Sequence, residues 1–137
     1  MNENRKVIVA KRPDGFCIQF DAMASACEII VEIDDQLLAN KIGKAVSEEV
    51  WRIEDKYSRY NPESLCSQIN QSNGKPITID DETFALLNFA DTFYQLSDGV
   101  FDLTAGVLRK VWIFDCSDKV PSNKSIAKTM GNVGWQK

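Results

Sequence analysis

Three short stretches of this 137-residue chain concentrate the side chains able to do chemistry. The first, Phe20-Asp21-Ala22-Met23-Ala24-Ser25-Ala26, is a small-residue bend between two strand-like runs. The second, Tyr57-Ser58-Arg59-Tyr60-Asn61-Pro62-Glu63-Ser64, is a polar elbow where a helical run ends. The third, Ser97-Asp98-Gly99-Val100-Phe101-Asp102-Leu103-Thr104-Ala105-Gly106, leads on to Trp112 and sets two aspartates, glycines and an aromatic ring between helical segments. Histidine is absent. The commonest general base and metal ligand is therefore missing, which excludes a Ser-His-Asp triad or a Cys/His zinc site within the chain. Each stretch also has a purely structural use. Met23 reads first as a packed core residue, and Arg59 with Tyr60 as a solvated helix terminus. Asp98-Gly99 has the chemistry of a turn, and Asp102 that of a helix cap more than of a catalytic acid. Trp112 reads as core more readily than as a stacking platform.

The elements that must position these stretches follow from periodicity. Residues 7–10 and 16–20 flank Arg12-Pro13-Asp14-Gly15, and Pro then Asp-Gly between β-rich runs predicts a hairpin with positive φ at Gly15. Cys27, Ile29, Val31 and Ile33 alternate with Glu28, Ile30 and Glu32, the period of a strand with one buried face. Asp34 or Asp35 caps a long amphipathic helix whose apolar stripe is Leu38, Ile42, Ala45, Val46, Val50, Ile53 and Tyr57. Asn61-Pro62 ends it, and a short helix restarts near Ser64 and runs toward Ile69. Residues 77–79 read as a brief strand. Asp80-Asp81-Glu82 opens a helix with the stripe Leu86, Phe89, Ala90, Phe93 and Leu96, ended at Gly99. A short helix follows over about residues 103–112, and a last one starts at Pro121-Ser122-Asn123-Lys124 and closes at Gly131 or Gly134. Residues 133–137 read as the start of a further strand, which suggests a truncated chain. The expected fold is α+β, with a mixed or antiparallel sheet and long amphipathic helices packed on it.

Composition narrows the partners. The 44% hydrophobic and 26% charged content is that of a folded soluble domain rather than a disordered chain. A net charge of -4 with no basic run argues against nucleic acid. It leaves room for a nucleotide, because one phosphate site can be built from backbone N–H groups. Neither a signal-peptide pattern nor a stretch of about 20 apolar residues occurs, so as written the chain is expected in the cytoplasm, with no membrane segment. Cys17, Cys27, Cys66 and Cys116 have no CxxC spacing and are expected to be reduced and packed or inert.

Taken together and in this order, the three stretches resemble the ApbE family of flavin transferases. That family carries a Met-Gly-Thr bend, a Ser-x-Tyr-x-Pro-x-Ser-Glu elbow after a long helix, and an Asp-Gly-x-Phe-Asp-x-Thr segment followed by Gly-x-Leu and a tryptophan. Here they stand as Met23-Ala24-Ser25, as Ser58 through Ser64, and as Asp98 through Thr104 with Gly106, Leu108 and Trp112. The resemblance runs from about Phe20 to Trp135, and its third stretch is the specific one. It departs at Ala24, where the family prefers glycine and a methyl group is expected to crowd the flavin, and at Val107, where proline is common.

The resemblance implies an activity in which FMN passes from FAD to a threonine hydroxyl of a target flavoprotein and AMP is released. It implies flavin contacts at Met23, Tyr60, Gly99, Val100 and Phe101. Met and Tyr side chains suit the flat apolar faces of a flavin. Gly99 permits close approach, and the helix start at Leu103 offers N–H groups to an anion. Mg²⁺ is expected in full-length members, held by carboxylate and carbonyl oxygens. The family's second-half segments that carry those ligands (Asp-x-Gly-Gly-x-x-Lys-Gly-Tyr, His-x-x-Asp-Pro and a late Thr/Asp cluster) do not occur here. Residues 1–137 are thus expected to be the amino-terminal part of an ApbE-like domain, with no catalytic residue assigned and no metal ligand. A non-catalytic flavin- or partner-binding fragment and an inactive remnant stay open as alternatives. The apolar helix faces are expected to stand partly exposed.

Overall fold

The structure, a computed structural model, describes residues 5–136. It divides into two compact units, one up to Ile77 and one from Thr78 on, and each is described by itself.

In the first unit three antiparallel strands, β1 (Val7–Arg12), β2 (Gly15–Ala22) and β3 (Ser25–Val31), lie in the order β1-β2-β3. Pro13 and Asp14 make the first hairpin turn, with Arg12 opposite Gly15. Gly15 has φ 147, and a Cβ there would stand 2.0 Å from the Val31 carbonyl oxygen, so only glycine lets the strands approach. The register places Val9, Ile18 and Ile29 in one row and Val7, Phe20 and Cys27 in the next. Cross-strand neighbours share a face, so the alternation in each strand builds one apolar surface.

Helix α1 (Gln36–Tyr57) covers that surface. Asp35 is its N-cap, accepting from the N–H groups of Leu37 and Leu38. The most buried helical residues are Ala39, Gly43 and Ser47, spaced four apart, rather than the larger residues of the expected stripe. Leu38, Ala45 and Val46 are exposed. A helix comes closest to a sheet along its smallest side chains. An added Cβ at Gly43 would stand 2.9 Å from Ile18 Cγ2 and 3.3 Å from Val7 Cγ1. Phe16, Ile18 and Phe20 are buried in this layer, and each full burial contributes about 1.5–3 kcal/mol. Helix α2 (Leu65–Asn70) restarts after Ser64, whose hydroxyl accepts from the Ser67 N–H. Residues 77–79 form no strand: a strand needs a neighbouring edge, and the sheet of the described residues contains β1, β2 and β3 alone.

The second unit holds α3 (Asp81–Leu96), a 3₁₀ helix (Leu103–Lys110) and α4 (Asn123–Met130). Asp80 caps α3 through the Thr83 N–H, and Ser122 caps α4 through the Ser125 N–H. The expected short helix after Leu103 takes the tighter 3₁₀ form over eight residues. Thr104, Gly106 and Val107 all lower α-helical preference there. Of the α3 stripe only Ala90 is buried, while Leu86, Phe89, Phe93 and Leu96 are exposed. Residues 133–136 form no strand, with a turn at 135–136, and Lys137 lies outside the described residues.

Candidate functional site

Met23 and Ala24 are the two residues of the second hairpin turn, between the paired residues Ala22 and Ser25. Their φ values are 52 and 58, the left-handed region that a type I′ turn demands at both positions. Each such non-glycine residue costs about 1–2 kcal/mol. Met23 is 55% exposed, so it is not a core residue, and its side chain is available for contact. Its N–H donates to Glu54 Oε1 at 2.7 Å. Glu54 Oε2 lies 3.3 Å from Arg5 Nη2, and the same guanidinium holds both oxygens of Asp55, at 2.6 and 2.9 Å. That hydrogen-bonded pairing holds the Asp55 carboxyl below the usual carboxylate range and pushes Arg5 up. Arg5 also lies 5.3 Å from the Trp51 ring centre, and Trp51 Nε1 donates to the Asp21 carbonyl oxygen at 2.8 Å.

The elbow after α1 sorts into residues that hold it and one that it displays. The Ser58 hydroxyl accepts from the N–H groups of Tyr60 and Asn61 at 3.2 and 3.3 Å. Its carbonyl oxygen accepts from the Ser64 hydroxyl and, at 3.5 Å, from that of Ser67. Asn61 Oδ1 accepts from the Glu63 N–H at 3.0 Å. Side-chain-to-backbone bonds of this kind let Ser and Asn turn a chain without regular structure. Tyr60 sits on this scaffold 75% exposed, with the Arg59 guanidinium 5.1 Å from its ring centre.

In the second unit α3 ends on two left-handed residues, Asp98 (φ 50) and Gly99 (φ 79). The Gly99 N–H donates to the Tyr94 carbonyl at 2.9 Å and that of Val100 to Ser97 at 3.1 Å. The Phe101 N–H donates to the Ser97 hydroxyl at 2.9 Å. At φ 79 a Cβ at Gly99 would be strained and would stand 3.3 Å from the Tyr94 hydroxyl, so the helix end favours glycine here. All three backbone donors are engaged within the turn, which presents Val100 and Phe101 outward beside the exposed Asp98. Val100 is 89% exposed, and the half-exposed Phe101 ring lies 5.8 Å from Phe93.

At the start of the 3₁₀ helix the Thr104 and Ala105 N–H groups, expected to be open to an anion, are engaged by Asp102. Asp102 Oδ1 accepts from both the N–H and hydroxyl of Thr104, at 2.7 and 2.5 Å. A carboxylate already stands where a phosphate would. Asp102 is thus the helix cap, and it also anchors the chain's far end. Its Oδ2 accepts from the Trp135 N–H at 3.0 Å, and Thr104 Oγ1 from the Gly134 N–H at 2.8 Å. Trp135 Nε1 donates to Asp91 at 2.8 Å.

Met23 and Tyr60 lie in the first unit, and Gly99, Val100 and Phe101 in the second. Sequence reasoning missed Glu54, Trp51 and Arg5 behind the bend. Glu54 and Trp51 are three residues apart on α1, the spacing that sets two side chains on one helix face. Among the described residues no three His, Cys, Asp or Glu side chains gather in a way that could hold a metal ion. Described helices include none long and apolar enough to cross a membrane, and all four cysteines are free thiols.

Residues 23–137 match the family model described as the ApbE family. The FAD:protein FMN transferase of Chlamydia muridarum (strain MoPn / Nigg) is 34% identical over 85 residues, 61% of this chain and 27% of that protein. The protein of the same name from Chlamydia pneumoniae is 34% identical over 87 residues, 62% of this chain and 28% of its own length. The crystal structure of the ApbE protein from Thermotoga maritima matches with a TM-score of 0.73 at 25% identity, covering 97% of this chain and 40% of that one. The chain therefore spans little more than a quarter of the length of the curated relatives it matches.

Proposed function

Because this chain belongs to the ApbE family, we propose that it is the amino-terminal, flavin-recognising part of an enzyme that transfers FMN from FAD to a threonine of a target flavoprotein. In that reaction the threonine oxygen attacks the FMN-side phosphorus of the pyrophosphate. The bond to the bridging oxygen breaks, AMP leaves, and the hydroxyl proton passes to a base. Recognition and turnover are separate tasks here. We assign recognition to Met23, Tyr60, Gly99, Val100 and Phe101. No step is assigned to a metal, because the described residues include no cluster of carboxylates suited to Mg²⁺.

The observation that carries this reading is the way the motif residues divide. Ser58, Asn61, Ser64 and Ser97 hold backbone through hydrogen bonds. Tyr60 and Val100 stand exposed on the backbone so held, and Met23 on the turn whose N–H Glu54 accepts. A flat, largely apolar ring system is bound by such side chains at low entropic cost when the backbone beneath them is already fixed.

Competition distinguishes flavin recognition from adenylate recognition. FMN is expected to displace FAD from the chain, and AMP is expected not to. Tyr60→Ala should weaken FAD binding about tenfold, the order of one lost stacking contact. Displacement by AMP but not FMN would contradict the assignment.

A further inference from the structure

We propose that Glu54 is a positioning residue for the bend, its carboxylate holding residues 23 and 24 in the left-handed turn and so fixing where the Met23 side chain stands. This rests on the reading of Met23 as a flavin contact. Two consecutive non-glycine residues at φ 52 and 58 form a backbone that L-residues avoid. Hairpin turns of this type draw on Asn, Asp and Gly. Neither Met nor Ala can bond its own backbone to offset the strain, as Asn or Asp does. Such a conformation persists only where its surroundings over-determine it.

Glu54 supplies that constraint from 31 residues away, its Oε1 accepting the Met23 N–H at 2.7 Å. The carboxylate is itself held, its second oxygen facing Arg5 at 3.3 Å. Arg5 is fixed in turn by Asp55 and by the face of Trp51. Trp51 binds the Asp21 carbonyl at 2.8 Å, so α1 grips the chain both before the bend and within it. The Trp51 ring also meets Phe20 edge-on at 5.9 Å, anchoring the grip to the sheet. A hairpin alone does not call for this arrangement, since glycine at either turn position would relieve the strain without any partner. What the grip adds is an exposed methionine on a rigid backbone, ordered before any ligand arrives.

Two readouts on the full chain test this. The first is hydrogen exchange of the Met23 amide, followed by NMR, and the second is FAD affinity by fluorescence titration. In the unsubstituted chain the Met23 amide should exchange slowly although it sits in an exposed turn. Rapid exchange there would overturn the proposal without any variant. Glu54→Ala should speed that exchange and weaken FAD binding, each by about tenfold. Glu54→Gln, which keeps an acceptor oxygen, should retain most of both. Ala24→Gly added to Glu54→Ala should restore part of the affinity by relieving the strain. Asp55→Asn, which loosens Arg5 but leaves the Met23 acceptor, separates the direct Glu54 bond from the Arg5 pairing behind it. Equal losses of affinity in Asp55→Asn and Glu54→Ala would overturn the positioning role. Failure of the unsubstituted chain to bind FAD would remove the flavin reading instead, while Met23 exchange still decides whether Glu54 holds the bend.

Discussion

Phe16, Ile18 and Phe20 on β2 and Phe89, Phe93 and Leu96 on α3 are apolar rows of similar strength, yet they end in opposite environments. The β2 row lies beneath α1, with Ile18 fully buried. The α3 residues are 66, 50 and 77% exposed. The difference lies in what each row meets. Strand β2 is paired on both edges and faces Ala39, Gly43 and Ser47, small enough to let α1 approach. On α3 the Phe93 ring lies 6.0 Å from Phe89 and 5.8 Å from Phe101 of the following turn. Apolar periodicity states which face can be buried, and the small residues opposite state which face is.

The largest effect should come from deleting volume where the two rows differ most. Ile18→Ala is expected to cost about 2–5 kcal/mol in urea unfolding, because the cavity lies on the central strand beneath a helix. Phe93→Ala on the exposed row should cost about 1 kcal/mol or less, its ring contacts being the main loss. Similar costs for the two would mean that the rows are equally buried in solution. Gly43→Ala probes the same contact from the helix side. Crowding Ile18 should cost about 1–3 kcal/mol, offset by up to about 1 kcal/mol of better helix preference, for a net lower Tm. A Tm unchanged or raised would mean that α1 has room to retreat.

Ala24→Gly moves stability the other way. At φ 58 a glycine pays no steric penalty, so this change should stabilise the chain by about 1 kcal/mol in the same unfolding assay. The smallest expected effect is acid sensitivity at Asp55. Its folded-state pKa is depressed by the hydrogen bonds from Arg5, so its stabilisation is present above the ordinary Asp range near pH 4 and is lost as pH falls through the folded value. Asp55 itself is largely exposed, which limits the gain to less than about 1 kcal/mol. Asp55→Asn should accordingly flatten the acid limb of the Tm profile slightly without moving Tm near neutral pH by more than a degree or two.

What was legible in the sequence was local. Asp80, Asp102 and Ser122 announce helix starts through one side-chain oxygen and the next turn's N–H groups. The period-two runs around Pro13-Asp14 yield the hairpin, and Asp98-Gly99 the end of α3. What was not legible depends on distant partners. The stripe on α1 was centred on its larger residues, because hydrophobic counting gives little weight to Ala39, Gly43 and Ser47. Residues 77–79 have strand composition but no edge to join. The site divides in the same way. Tyr60 and the turn at Gly99 stand inside motifs readable along the chain. The grip of Glu54 on Met23 spans 31 residues and has no sequence signal beyond the helical spacing of Trp51 and Glu54.

The central claim, that these residues recognise a flavin but do not turn it over, is tested most directly by incubating the purified chain with FAD and Mg²⁺. Flavin fluorescence reports binding, and AMP in the filtrate reports transfer or hydrolysis. A saturable fluorescence change with no AMP formed is expected. Fluorescence that stays linear in FAD would contradict recognition, and Mg²⁺-dependent AMP release would contradict the separation of tasks and make Asp102 the first residue to substitute.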